Sequence, residues 1–332
     1  MKTAVIGSGA WGTALAIRLC KNGHDVTMWT HREEMVSKMA ATRRNHRLPG
    51  AELPTSLKIT NDFGCVSGCP MVVIACPSFP IRDICRNVAP HLDEDAVMVT
   101  VTKGIEPGTQ KRMSQVVAEE THRAVVVLTG PSHAEELAQS MPTGCVAASA
   151  NQAHAELVQD AFMSDYFRIY TSPDIVGTEL GGALKNVIAL CAGVTDGMGY
   201  GDNIKAMLMT RGLTEMARLG VAMGANRDTF AGLAGVGDLI VTCTSPHSRN
   251  RQAGILIGQG KSADEAMAQV GAVVEGYYAA RSAGELAKKY GVDMPIVRAA
   301  CAVLYKDVST SQVVEQLLNR RKKPESEDSG WN

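Results

Sequence analysis

One lysine, Lys185, interrupts the small and apolar run Gly181-Gly182-Ala183-Leu184-Lys185-Asn186-Val187-Ile188-Ala189. Helical spacing puts Thr178, Gly181, Gly182, Lys185, Ile188, Ala189 and Ala192 on one face, and none of these is acidic. An ammonium in such surroundings is either desolvated, so that its pKa drops toward neutrality, or faces a cavity holding an anionic or carbonyl ligand. Both states suit a general acid or base. A lysine snorkelling from a core edge into water is the competing reading. The flanking glycines and the N-terminal motif below favour the chemical one.

A second lysine, Lys103, closes the run Thr100-Val101-Thr102-Lys103-Gly104. Further on, Gly235-Val236-Gly237-Asp238-Leu239 and Ser248-Arg249-Asn250-Arg251 supply a carboxylate, a hydroxyl, an amide and two guanidiniums. This composition suits a small, polar, phosphorylated molecule, with arginine for bidentate phosphate contacts and Asp and Asn for hydroxyls. The bland alternative makes Asp238 a helix N-cap and the Arg-Asn-Arg stretch a solvated face.

Residues Lys2 to Ile6 form a β-branched apolar run that ends in Gly7-Ser8-Gly9-Ala10-Trp11-Gly12, followed by helix-forming Thr13 to Leu19. In a strand-turn-helix context, Gly7 permits the tight turn, Gly9 lets the backbone approach a pyrophosphate, and Gly12 lets helix and strand pack closely. Amide groups at the helix start then face the phosphates. A turn at Asn22-Gly23 leads to a second strand from Asp25 to Trp29. Where an NAD site places a carboxylate on the ribose, this chain reads Thr30-His31-Arg32, with acids only at Glu33 and Glu34. A cation there attracts a 2′-phosphate, which favours NADP(H) and leaves NAD(H) possible.

These residues need a scaffold, and the pattern of apolar runs describes one. Runs at Met71 to Ala75, Ala96 to Val101, Val125 to Thr129, Gly144 to Ser149 and Phe167 to Tyr170 alternate with helix-like segments. That alternation predicts a mostly parallel, doubly wound sheet of the Rossmann type. Its ligand crevice should lie at the strands' carboxyl ends, where Gly7, Cys76-Pro77-Ser78, Lys103-Gly104 and Gly130-Pro131-Ser132 fall. After Pro173 long amphipathic segments take over, such as Ile204 to Met223 and Glu275 to Tyr290. The fold class is therefore α/β, an N-terminal doubly wound sheet followed by an all-helical C-terminal domain. The expected division is 1–178 for the dinucleotide-binding domain, 179–320 for a helical catalytic domain and 321–332 for a polar flexible tail.

With 332 residues, 45% of them hydrophobic, the chain has material for two full cores. A net charge of −1 provides no overall field for nucleic acid or a membrane surface, so any phosphate must be held by local groups. The nine cysteines form no Cys-x-x-Cys pair and no zinc-type cluster, and read as reduced thiols of a cytoplasmic protein without a bound metal. Met1 to Ile6 runs straight into the glycine motif, which leaves no room for a signal peptide. No apolar segment is expected to reach the roughly 18 residues that span a bilayer, so stable membrane insertion is not expected.

Taken together, the chain resembles the bacterial NAD(P)-dependent glycerol-3-phosphate dehydrogenases over nearly its whole length. The resemblance is carried by Gly7 to Leu15, Thr102-Lys103-Gly104-Ile105-Glu106, Gly130-Pro131-Ser132-His133-Ala134-Glu135-Glu136, Leu180 to Asn186 and Leu233 to Arg251. It implies reduction of dihydroxyacetone phosphate to sn-glycerol 3-phosphate, a phospholipid precursor. It also implies that Lys185 is the proton donor and acceptor and that Lys103 lies near substrate and cofactor. By the same resemblance Gly130, Ser132, Asp238, Ser248, Arg249 and Asn250 contact substrate. Ala10, Trp11, His31, Arg32, Lys103, Ala134, Arg249, Val273 and Glu275 contact the cofactor. Position 10 is commonly serine in relatives, so Ala10 loses a possible hydroxyl contact to the pyrophosphate. A homodimer is expected, since dimers are common among the relatives and a helical domain offers apolar faces for pairing. Two rivals stay open at this point. A β-hydroxyacid dehydrogenase would differ in its glycine-lysine-asparagine spacing, and a non-catalytic NADP-sensing module would not need Lys185, Asp238 and Arg249 together.

Overall fold

A computed structural model describes residues 1–322, Pro324 and Glu325. Most of the expected tail, 321–332, lies outside the described residues. Eight strands form one sheet: β1 (Lys2–Ile6), β2 (Asp25–Trp29), β3 (Lys58–Thr60), β4 (Met71–Ile74), β5 (Val97–Thr100), β6 (Val125–Thr129), β7 (Thr143–Ala148) and β8 (Phe167–Ser172). Their spatial order is β3-β2-β1-β4-β5-β6-β7-β8, and all pairs are parallel except β6 with β7. The chain runs outward from β1 through β2 to β3, then crosses back to β4 on the other side of β1. This reversal opens a crevice beyond the carboxyl ends of β1 and β4.

Alternation along the strands fills both faces. Val5, Val73 and Val99 enter one core with Leu15, Leu19 and Phe162, while Ile6, Val72, Ile74 and Met98 enter the other with Ile81, Cys85 and Val116. The flanking helices are α1 (Ala10–Lys21), α2 (Glu33–Thr42), α3 (Ile81–Val88), α4 (Met113–Thr121), α5 (Ala134–Ala138) and α6 (Gln152–Phe162). β3 was not anticipated, because its three residues alternate too briefly to stand out from a loop.

The helical half comprises α7 (Ile175–Gly197), α8 (Asp202–Ala222), α9 (Asp238–Thr244), α10 (Arg249–Gly258), α11 (Ala263–Val270), α12 (Glu275–Tyr290), α13 (Pro295–Lys306) and α14 (Thr310–Leu318). A third core surrounds α7, with Leu184, Val187 and Ile188 meeting Met216, Leu239, Ala253 and Ala280. α7 and α10 approach backbone to backbone through Gly193, Gly197, Gly254 and Gly258. A Cβ on Gly193 would lie 2.1 Å from the Arg251 carbonyl oxygen, and one on Gly254 would lie 2.0 Å from that of Leu190.

The expectation that no segment reaches membrane-spanning length is corrected here. α7 has 23 residues and a mean hydropathy of 1.3 over its most apolar window, enough by length and composition. That window is 83% buried inside the protein, so its apolarity serves the helical core. Interior charge also marks it, since Glu179 and Lys185 are both buried within the helix.

Candidate active site

The turn between β1 and α1 is built by steric exclusion. Gly7 has φ +126°, and a Cβ there would meet the Ala75 carbonyl oxygen at 2.3 Å. A Cβ on Gly12 would meet the Gly7 oxygen at 2.2 Å, whereas one on Gly9 would meet nothing within 4 Å. The space beside Gly9 is thus the one opening in the turn. α1 begins there with no side-chain cap, so its first amides, those of Ala10, Trp11 and Gly12, face a site suited to a phosphate anion. Asn45, which the sequence reading passed over, fixes this turn: its Nδ2 donates to the Ser8 carbonyl at 2.9 Å and to Thr13 Oγ1 at 2.7 Å. His31 and Arg32 follow β2 and are exposed; Arg32 Nε donates to His31 Nε2 at 3.1 Å. The residues present therefore fit a dinucleotide.

Beyond the carboxyl ends of β5 and β6 the two halves of the chain meet over a cluster of charge. Lys103 Nζ donates to the Gly130 carbonyl at 3.0 Å, Ser132 Oγ at 3.3 Å and Asp238 Oδ2 at 2.7 Å. Lys185 Nζ, from α7, donates to Asp238 Oδ1 at 2.5 Å and Thr242 Oγ1 at 2.6 Å. One carboxylate, 1% exposed, therefore bridges two ammoniums. Asp238 is the first residue of α9 and follows a π-helical turn, Leu233–Gly237, that packs on α7. Its side chain is spent on the lysines and caps no helix, which answers the N-cap alternative. Thr242 was missed by sequence reading; its hydroxyl donates to the Asp238 carbonyl at 2.6 Å, leaving its lone pairs for Lys185.

Electrostatics tune the buried amine. Burial pulls the Lys185 pKa down to about 8, the Asp238 carboxylate opposes that fall, and the Lys103 ammonium adds to it. Gly182 makes room for this arrangement, since a Cβ there would sit 2.9 Å from Thr129 Oγ1 and 3.6 Å from Lys103 Cγ.

The remaining predicted residues lie on other elements and loops. Arg249 opens α10 and is exposed, with no hydrogen bond or ion pair to another described residue. Ser248 is the α10 N-cap, accepting from Arg251 N at 3.3 Å. Asn250 is engaged structurally: its Nδ2 donates to Asn186 Oδ1 at 3.0 Å and its Oδ1 accepts from Gly276 N at 2.8 Å. Ala134 starts α5, Val273 lies in the loop before α12, and Glu275 starts α12. Glu275 reaches across to the loop after β4, accepting from Ser78 Oγ at 2.7 Å and Ser78 N at 3.2 Å. A second such tie, unread in the sequence, joins Glu179 of α7 to Ser114 N at 2.7 Å at the start of α4.

Residues 2–155 match the family model described as NAD-dependent glycerol-3-phosphate dehydrogenase N-terminus, and residues 174–315 match that of the C-terminus. A glycerol-3-phosphate dehydrogenase [NAD(P)+] of Geobacillus kaustophilus is 51% identical over 98% of this chain and 96% of its own. The chain belongs to the NAD-dependent glycerol-3-phosphate dehydrogenase family. A second relative of the same description, from Pelotomaculum thermopropionicum, is also 51% identical over 98% of this chain and 95% of its own. The crystal structure of a glycerol-3-phosphate dehydrogenase from Coxiella burnetii superposes with a TM-score of 0.92 at 36% identity, covering 96% of this chain and 98% of that one. Within the family frame, Lys103, Gly130 and Ser132 fall in the N-terminal match, and Lys185, Asp238 and Arg249 in the C-terminal one.

Proposed function

We propose that the protein interconverts dihydroxyacetone phosphate and sn-glycerol 3-phosphate with NADP(H) as the favoured cofactor and NAD(H) as an alternative. The observation that carries this reading is the Asp238 carboxylate shared between Lys185 and Lys103 at the mouth of a dinucleotide crevice, in a chain of this family. Gly9 and the first amides of α1 would hold the pyrophosphate, and Arg32 a 2′-phosphate. The reduced nicotinamide, when bound, supplies the hydride.

The chain's own residues supply the rest. Lys185, with its pKa near 8, carries a proton at neutral pH and gives it from Nζ to the alkoxide oxygen that forms from the ketone. Asp238 and Thr242 accept hydrogen bonds from that amine and hold it in place. In the reverse direction the neutral amine takes the hydroxyl proton. Lys103 adds a second positive charge beside the oxygen, and the free Arg249 guanidinium clamps the phosphate, so that binding energy becomes alignment.

The comparisons lend no support to the β-hydroxyacid dehydrogenase or sensing-module readings. We place the functional division at 178/179, just inside α7, so that one domain grips the cofactor and the other carries Lys185. A homodimer and a cytoplasmic location, in keeping with nine unpaired cysteines, complete the proposal. NADPH consumption by the purified protein with and without dihydroxyacetone phosphate tests it: ketone-dependent consumption is expected, and its absence would refute the assignment.

A further inference from the structure

Beside the site, a loop from the sheet half is fastened to the helix that carries Lys185. Having left β5 with Lys103, the chain turns at once toward the helical half, where Ile105, 2% exposed, packs in the core around α7. Ile105 pairs with Arg112 in an antiparallel bridge, and Glu106 N donates to the Lys111 carbonyl at 2.9 Å. Residues 105–112 are thus a closed excursion, and within it Gln110 Nε2 donates to Glu285 Oε2 of α12 at 3.3 Å. At its far end stands Glu179 of α7, 6% exposed. Its carboxylate accepts from Ser114 N at 2.7 Å and Ser114 Oγ at 2.5 Å and pairs with the Arg112 guanidinium.

Glu179 precedes Lys185 by six residues on one continuous helix, about 9 Å at 1.5 Å per residue. The strap from Lys103 to Ser114 and the stretch of α7 from Glu179 to Lys185 therefore form a ring. Glu179 closes one end on Ser114 and Arg112, and Asp238 closes the other on both lysines. Between the two ends α7 meets its neighbours through glycines. A Cβ on Gly181 would lie 2.3 Å from the Ala234 carbonyl oxygen, and one on Gly182 would lie 2.9 Å from Thr129 Oγ1. Glycines let backbones come close, but they offer no side-chain ridge to interlock along the helix axis. The directional contacts of a buried carboxylate supply such a lock, since fixing register is the best-attested use of a buried ionic group.

We propose that Glu179 is a positioning residue for the reaction, registering α7 against the loop that carries Lys103 so that Lys185 and Lys103 meet on Asp238. The inference rests on the activity proposed above. Steady-state reduction of dihydroxyacetone phosphate by NADPH tests it in a double-mutant cycle of Glu179→Ala with Lys185→Ala. Glu179→Ala alone should lower kcat by about 10-fold or more, since a misplacement of about 1 Å can cost about 100-fold, and leave the KM for NADPH within about twofold. In the Lys185→Ala background the same substitution should change kcat by less than about twofold, because the amine whose place it sets is gone.

A carboxylate that only caps α4 would act alike whether or not Lys185 is present. Equal losses of kcat in the two backgrounds, or no loss beside an intact Lys185, overturn the proposal. A wild type that does not turn over the ketone instead overturns the activity and this inference with it. Should Glu179→Ala fail to fold, Glu179→Gln takes its place in the cycle, keeping an acceptor for Ser114 N and losing the ion pair with Arg112. A kcat loss of about threefold or more that vanishes without Lys185 then supports the proposal, and any other result refutes it.

Discussion

Asp238 and Lys185, 53 residues apart in sequence, meet at 2.5 Å inside the protein, and the other oxygen of the same carboxylate holds Lys103 at 2.7 Å. Two cations on one anion leave the cluster a net positive charge. A phosphorylated ketone and the oxyanion formed from it are the complement of that charge. The same arrangement keeps Lys185 titrating near the pH at which the proposed mechanism has it give and take a proton.

Removing that amine should strike the chemical step. Lys185→Ala is expected to lower kcat for ketone reduction by at least about 100-fold, with little change in the KM for NADPH. Steady-state kinetics check this, and near wild-type turnover would remove Lys185 from the mechanism.

Arg249 faces solvent and makes no hydrogen bond or ion pair among the described residues, so its loss should be felt in binding. Arg249→Ala should chiefly raise the KM for dihydroxyacetone phosphate, by about 10-fold or more. An equal KM in variant and wild type would contradict the clamp.

The proposed cofactor preference turns on the tip of β2. Arg32 is exposed and its nearest acid, Glu34, is 3.7 Å away. Arg32→Ala should lower kcat/KM for NADPH by about 10-fold while leaving that for NADH nearly unchanged. Parallel losses with both cofactors would argue that Arg32 does not recognise the 2′-phosphate.

Stability has its own titrating group away from the site. Glu215 of α8 is 2% exposed and caps α13, accepting from Ile296 N at 2.8 Å and Val297 N at 3.3 Å. Burial pushes its pKa up to about 7 from an ordinary 4.5. Across that window the folded chain keeps a proton that the unfolded chain has released, so this group's contribution to stability falls as pH rises from 4.5 to 7. The fall amounts to at most about 3 kcal/mol. Urea unfolding at about pH 5 and about pH 7 should show it in wild type and a flatter dependence in Glu215→Gln. Equal slopes would place the titration elsewhere.

Local features were legible where a short stretch of chain carries its own cause. The strand-glycine-helix start predicted β1, α1 and the open space beside Gly9, and β2 and α12 have the limits expected of them. The crevice residues Lys103 and Gly130 follow apolar runs that became β5 and β6. Lys185 was conspicuous because its own helical face holds no acid. The acid that pairs with it, Asp238, comes from another helix, and no periodicity links positions 53 apart. The ties from Glu275 to Ser78 and from Glu179 to Ser114 are long-range for the same reason. The length and apolarity of α7 were underestimated because two charges inside it masked the run, while burial against neighbouring helices let it stay apolar.

The pH dependence of kcat for ketone reduction, from about pH 6 to about pH 10 in wild type and Asp238→Asn, tests the Lys185 proton transfer most directly. The wild-type rate should fall as pH rises through about 8, as the ammonium loses its proton. In Asp238→Asn the carboxylate that raises this pKa is gone while the Lys103 charge that lowers it remains, so the alkaline limb should move to lower pH. A limb in the same place in both proteins, or no limb at all, would contradict proton transfer from an amine held by Asp238.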